Sequence, residues 1–139
     1  MLFRSAAGQE HDLASVCRSP LAMGLLTGKY TAAARLPADD VRATQPWVPY
    51  FEAGRPAPAW LARFEAVRDV LAGGGRSLAQ GALGWLLARS PRTVPIPGTR
   101  TAAQAEQNAS ALPAGPLPSA DMAEIARLLS AGADGRPTP

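Results

Sequence analysis

Few residues of this chain have side chains suited to catalysis. The sequence holds one histidine, His11, one lysine, Lys29, and one cysteine, Cys17. A Ser-His-Asp constellation would need His11 with a nucleophile such as Ser19, and no Gly-x-Ser-x-Gly turn is present to expose one. His11 beside Asp12 reads as a solvated junction. Cys17 sits in an apolar stretch with Arg18 directed to the opposite face, so it reads as an inert small hydrophobe. Gly73-Gly74-Gly75 precedes a helix but lacks the following Lys-Ser or Lys-Thr of a phosphate-binding loop, and it reads as a helix stop. What remains is anion binding. Gly98-Thr99-Arg100-Thr101 leads into a helix whose free N–H groups favour an anion. Gly98 permits close backbone approach, and Arg100 offers a charge-assisted contact with bidentate geometry.

Those residues need elements to hold them. Residues 1–11 read as the end of a helix interrupted by Gly8. Leu13 to Cys17 suits a short, largely buried strand that Pro20 ends, and Leu21 to Thr27 a loop with one helical turn. Tyr30 to Pro58 carries Pro37, Pro46, Pro49, Pro56 and Pro58 and no sustained period, the mark of a long functional loop. A helix begins near Ala59, with Trp60, Leu61, Phe64, Val67 and Leu71 on one face, and the glycine run stops it. Ser77 and Gln80 form a capping box for the next helix, whose apolar face holds Leu78, Ala82, Leu83, Leu86 and Leu87. Trp60 and Trp85 are expected to face the core or a packing seam. Thr93 to Pro97 is a second strand, and Thr101 with Gln104 is a second capping box. A last helix covers about Ser119 to Ser130, and residues 132–139 form a polar tail expected to be disordered. Two strands separated by helices indicate a parallel pair from an α/β fold, and two strands are too few for a free-standing sheet.

Composition bounds the partners. The chain has 139 residues, 47% hydrophobic, with a formal net charge of +3. Thirteen of its fourteen basic residues are arginines scattered singly, with no basic stripe, zinc-ligand spacing or helix-turn-helix signature, so nucleic acid is not an expected partner. No metal-ligand cluster is expected. No apolar run approaches the roughly 20 residues of a spanning helix, so no membrane is expected either. One cysteine and no secretory signal point to a reducing, cytoplasmic setting.

Three segments together resemble the aldo/keto reductase family. Arg18-Ser19-Pro20-Leu21-Ala22-Met23-Gly24-Leu25-Leu26-Thr27-Gly28-Lys29-Tyr30 is similar to the segment after the seventh barrel strand. Val94-Pro95-Ile96-Pro97-Gly98-Thr99-Arg100-Thr101, with Gln104 and Asn108, is similar to the eighth strand and its helix. Ser77 to Arg89 resembles the helix before that strand. The likeness runs from about residue 11 to 130, is close from Glu10, and is poor over residues 1–9. It implies an oxidoreductase of (β/α)8 fold that reduces aldehydes and ketones with NADP(H). This chain, a partial domain over residues 1–131, would supply the last two strands and lack the first six. An internal start, a frameshift or a fragment would produce such a chain. By the same resemblance, Gly98, Thr99, Arg100, Gln104 and Asn108 contact the 2′-phosphate and adenine. Ser19, Pro20, Leu21 and Gly24 contact the pyrophosphate, and Lys29 is a nearby basic contact. Gln107 stands where the family often has Glu, which removes a charge from the adenosine clamp. Arg42 is within reach of the same anion.

The family's catalytic tyrosine, lysine, aspartate and histidine belong to the first half of the barrel. Here His11 precedes the first strand and Lys29 is taken by the Gly-Lys-Tyr motif, so Tyr30 and Tyr50 have no partners and no catalytic residue is expected. Two readings follow: a truncated reductase that retains the cofactor's phosphate and adenosine loops, or a non-catalytic module that binds nucleotide or complements a barrel. The motifs also admit a blander reading, as ancestry without a bound cofactor. Open edges and uncovered apolar faces predict self-association, and the carbonyl substrate would need a complete barrel.

Overall fold

The structure, a computed structural model, describes residues 10–45 and 47–131. The expected tail and most of the expected first helix lie outside them. Strand β1 (Ser15–Arg18) leads through a 3-10 turn (Ala22–Thr27) into the proline-rich insert. The insert is not the featureless loop its sequence suggests. It contains helix α1 (Val41–Thr44), capped by Asp40, and a two-residue antiparallel hairpin of β2 (Phe51–Glu52) and β3 (Arg55–Pro56). Elements this short have no period to detect. Helix α2 (Pro58–Leu71) starts with proline at its first position, where a missing N–H costs nothing. Helix α3 (Leu78–Leu87), strand β4 (Thr93–Ile96), helices α4 (Ala102–Ala109) and α5 (Ala111–Ala114), and helix α6 (Ser119–Ala131) complete the order.

β1 and β4 pair in parallel, with Ser15 opposite Thr93 and Arg18 opposite Ile96. An ion pair between Asp12 and Arg92 joins the chain just before each strand. α3 runs between the strands in sequence and packs on β4, α2, α4 and the 3-10 turn, as the crossover helix of a β-α-β unit must. Its start is the expected capping box: Ser77 Oγ accepts from the Gln80 amide at 3.2 Å, and Gln80 Oε1 accepts from the Ser77 amide at 2.7 Å.

The expectation of a largely buried first strand needs correction. Ser15 and Cys17 are half-buried, but Val16 on the alternate face is 61% exposed, and Val94 and Ile96 beside it are 45% and 51% exposed. One face of the pair is covered and the other is exposed, because β1 and β4 form a sheet of two strands and, among the described residues, no layer lies over Val16, Val94 and Ile96. Trp60 likewise lies outside the core at 38% exposure, stacked edge-on against Tyr50, while Phe64, Val67 and Leu71 of the same helix are buried. Trp85 is half-buried against the Phe64 cluster, as expected.

Three apolar clusters make the core. Leu21 packs with Ala79, Ala82, Leu83 and Ala111; Phe64, Val67 and Leu71 with Leu117 and Ile125; and Ala22 and Leu25 with Val48 and Phe51. Leu26 touches all three. α2 and α3 approach so closely that a Cβ on Gly81 would collide with the Leu71 carbonyl, whereas a Cβ on Gly73 would meet open space. Gly81→Ala should therefore destabilise the chain by about 1–3 kcal/mol through overpacking. Gly73→Ala should stay within about 0.5 kcal/mol. Urea midpoints of the two variants check this, and equal midpoints would contradict it.

Candidate functional site

Parallel pairing decides where the two motif loops emerge. β1 ends at Arg18 and β4 at Ile96, and these residues face each other in the register. Ser19-Pro20 and Pro97-Gly98 therefore leave the same end of the sheet. His11 precedes β1 and lies toward the other end, exposed.

The first loop is an unusual turn. Ser19 (φ 51°), Ala22 (φ 49°), Met23 (φ 54°) and Gly24 (φ 98°) all adopt left-handed backbone, three of them with side chains that disfavour it. Such conformations persist where packing over-determines them, and they cluster at binding sites. Here Leu21, Ala22 and Leu25 are buried, while Ser19 stays exposed and Pro20 half-buried. The Leu21 carbonyl accepts from the amides of Gly24 at 2.9 Å and Leu26 at 3.3 Å. Leu21 was expected to contact a ligand, but the residue is buried in the core and its carbonyl is taken by those two amides. Lys29 folds back over the turn, where a Cβ on Gly24 would lie 3.3 Å from its Cε, and its ammonium sits 4.8 Å from the Tyr30 ring centroid.

The second loop presents Gly98, Thr99, Arg100, Gln104 and Gln107 to solvent, with Asn108 half-buried. Thr101 caps α4, its Oγ1 accepting from the Gln104 amide at 3.2 Å. The reciprocal half of the expected capping box is displaced by one residue: Gln104 Oε1 accepts from the Arg100 amide at 2.8 Å, not from Thr101. Gln104 thus fixes the backbone of Arg100. Among the described residues the Arg100 guanidinium has no hydrogen-bond or ion-pair partner, and its charge is the smallest of the influences that lower the Asp40 carboxyl. A contact that sequence reasoning missed holds α4 in place. Gln80 Nε2 donates to Ser110 Oγ at 2.7 Å, and Ser110 Oγ donates to the Gln107 carbonyl at 2.8 Å. The capping-box glutamine was visible in the sequence; its second partner, 30 residues away, was not.

Arg42 is not the free anion contact its sequence position suggested. Its Nε donates to Asp40 Oδ1 at 2.8 Å, its Nη2 to Asp40 Oδ2, and its Nη1 to the Met23 carbonyl at 3.2 Å and to the Tyr30 hydroxyl. Hydrogen bonding from Arg42, first through its side chain and then through its backbone, holds the Asp40 carboxyl well below the usual carboxylate range. Asp40 in turn raises the Arg42 guanidinium further. A lowered folded-state value means this contribution is complete above the ordinary carboxylate value of about 3.9, and is lost as pH falls through the lower folded value. Asp40→Asn should therefore lower the urea midpoint against the parent at about pH 5 and above, with the gap closing in stronger acid. A gap of constant size down to the acid limit would contradict this.

Two open grooves, of about 530 and 620 Å³, lie along the insert and α2 beside Phe51, Glu52, Trp60 and Leu61. None of the expected cofactor residues lines either groove, so the two motif loops form an exposed ledge. A profile of the aldo/keto reductase family matches residues 3–130, so the likeness extends further toward the N-terminus than the sequence motifs suggest. The aldo-keto reductase yakc of Schizosaccharomyces pombe, named for NADP(+), is 30% identical over 114 residues, spanning 76% of this chain and 30% of its own length. The glycerol dehydrogenase AKR11B4 from Gluconobacter oxydans has a similar fold, with a TM-score of 0.75 at 21% identity, covering 95% of this chain and 38% of that one. The chain thus spans about a third of the length of these relatives. It belongs to the aldo/keto reductase family.

Proposed function

We propose that this chain is the C-terminal, NADP(H)-holding portion of an aldo/keto reductase barrel, a single partial domain over residues 1–131 without the catalytic tetrad. The observation that carries the reading is the shared end: the left-handed turn after β1 and the α4 start after β4 emerge side by side. Loops after the last two strands are where phosphate commonly sits in (β/α)8 enzymes.

The residues suit a dinucleotide. Arg100, without a protein partner among the described residues, and Thr99 beside it take the 2′-phosphate, helped by the uncapped first amides of α4. Gln104, Gln107 and Asn108 line the adenosine side, with the Gln104 oxygen already committed to the Arg100 amide. Backbone of the Ser19–Gly24 turn and the Lys29 ammonium take the pyrophosphate. When bound, the cofactor supplies a hydride for reduction of a carbonyl group. Among the described residues no side chain is set up to donate the accompanying proton: the Tyr30 hydroxyl is tied to Arg42, Lys29 lies over the Tyr30 ring, and His11 sits toward the other end of the sheet. Turnover of aldehydes and ketones therefore belongs to a complete barrel, in the cytoplasm.

Titration with 2′,5′-ADP and 5′-AMP tests this. The first should bind more tightly, and Arg100→Ala should remove the preference with a loss of at least about tenfold. Equal or undetectable binding of both would overturn the reading. The isolated chain should show no NADPH-dependent carbonyl reduction.

A second reading, that of a barrel-complementing module, is favoured by the bare face of Val16, Val94 and Ile96 on a two-stranded sheet with open edges. It predicts self-association, or capture of a chain carrying the other strands, in light scattering. A monodisperse monomer with one cooperative thermal transition would contradict it.

A further inference from the structure

We infer that Arg42 is a positioning residue that holds the left-handed Ala22–Gly24 turn in shape and ties it to the proline-rich insert. The inference rests on the cofactor reading for its functional consequence, but its structural content stands on contacts of its own.

A guanidinium has five N–H donors and no acceptor. Four of Arg42's are engaged: Nε and one Nη2 proton on the two oxygens of Asp40, and both Nη1 protons on the Met23 carbonyl and the Tyr30 hydroxyl. Its Cζ also lies 5.4 Å from the Tyr30 ring centroid and 5.5 Å from that of Phe51, and these rings meet edge-to-face. The side chains of Arg42 and Asp40 are only 16% and 17% exposed. Asp40 fixes the fork's direction, the two rings fix its plane, and the donor left for the turn points at Met23, whose own backbone is strained at φ 54°.

Met23 is the one left-handed, non-glycine residue in the centre of the turn whose side chain is not buried, so apolar packing holds it less firmly than Ala22. The hydrogen bond from Arg42, 19 residues away, supplies that constraint. A lysine cannot replace it, because a point charge cannot meet Asp40, Met23 and Tyr30 together. The insert, already packed on Ala22 and Leu25 through Val48 and Phe51, is thereby tied to the strained centre of the turn as well.

Amide hydrogen exchange and ligand titration on Arg42→Met, Arg42→Lys and Tyr30→Phe test the inference. In Arg42→Met the Gly24 and Leu26 amides should exchange at least about tenfold faster, while α3 amides keep their protection, with Arg42→Lys intermediate. Affinity for NADP+ should fall at least about tenfold, and affinity for 2′-AMP, which lacks the pyrophosphate, about twofold or less. Unchanged exchange in the turn would overturn the inference, as would equal losses for both ligands, which mark a general structural defect. If the parent chain binds neither ligand, the cofactor reading fails and the exchange data alone decide the positioning role. Should Arg42→Met not fold, Arg42→Lys and Tyr30→Phe carry the same readouts with smaller changes.

Discussion

The turn from Leu21 to Leu26 is anchored by the burial of Leu21, Ala22 and Leu25, and the rest of the architecture depends on that anchorage. Leu21 is held in the Ala79–Leu83 cluster, Ala22 and Leu25 in the Val48–Phe51 cluster, and Leu26 against all three clusters. Burying side chains of this size is worth about 1.5–3 kcal/mol each. That is enough to offset left-handed backbone at Ala22 and Met23, which costs on the order of 1–3 kcal/mol per residue. The strain and the packing are local to one segment.

The second loop is secured by hydrogen bonds in place of apolar burial. α4 has no buried side chain, and its position comes from Thr101 at one end and the Gln80–Ser110–Gln107 chain at the other. Because Gln80 also caps α3, the crossover helix and α4 share a fastening. The covered face of the β1–β4 pair is packed by α3, and the opposite face, with Val16, Val94 and Ile96, is left to solvent. That asymmetry agrees with a chain spanning about a third of its relatives' length.

Much of this was legible in the sequence. The α/β order, the parallel pair, the Ser77–Gln80 box and the helices from Ala59 and Ser119 follow from period and capping chemistry, and the family follows from the motif segments. The insert was not legible, because a four-residue helix and a two-residue hairpin are specified by contacts such as Arg42 to Met23, which sequence spacing does not reveal. The exposure of Val16 was missed for a related reason. Apolar alternation marks a strand but cannot say whether a second layer is present. At the site, the residues of both loops were named from the sequence. The inward direction of Leu21 and the one-residue displacement of the Gln104 contact depend on three-dimensional packing.

The central claim is that the two loops form one site for one dinucleotide. It is tested most directly by following backbone amide resonances while NADP+ is added to the chain. A single site predicts that signals from Met23 and Gly24 and from Thr99 and Arg100 shift together along one saturation curve. Shifts confined to one loop, or separate curves for the two, would contradict it.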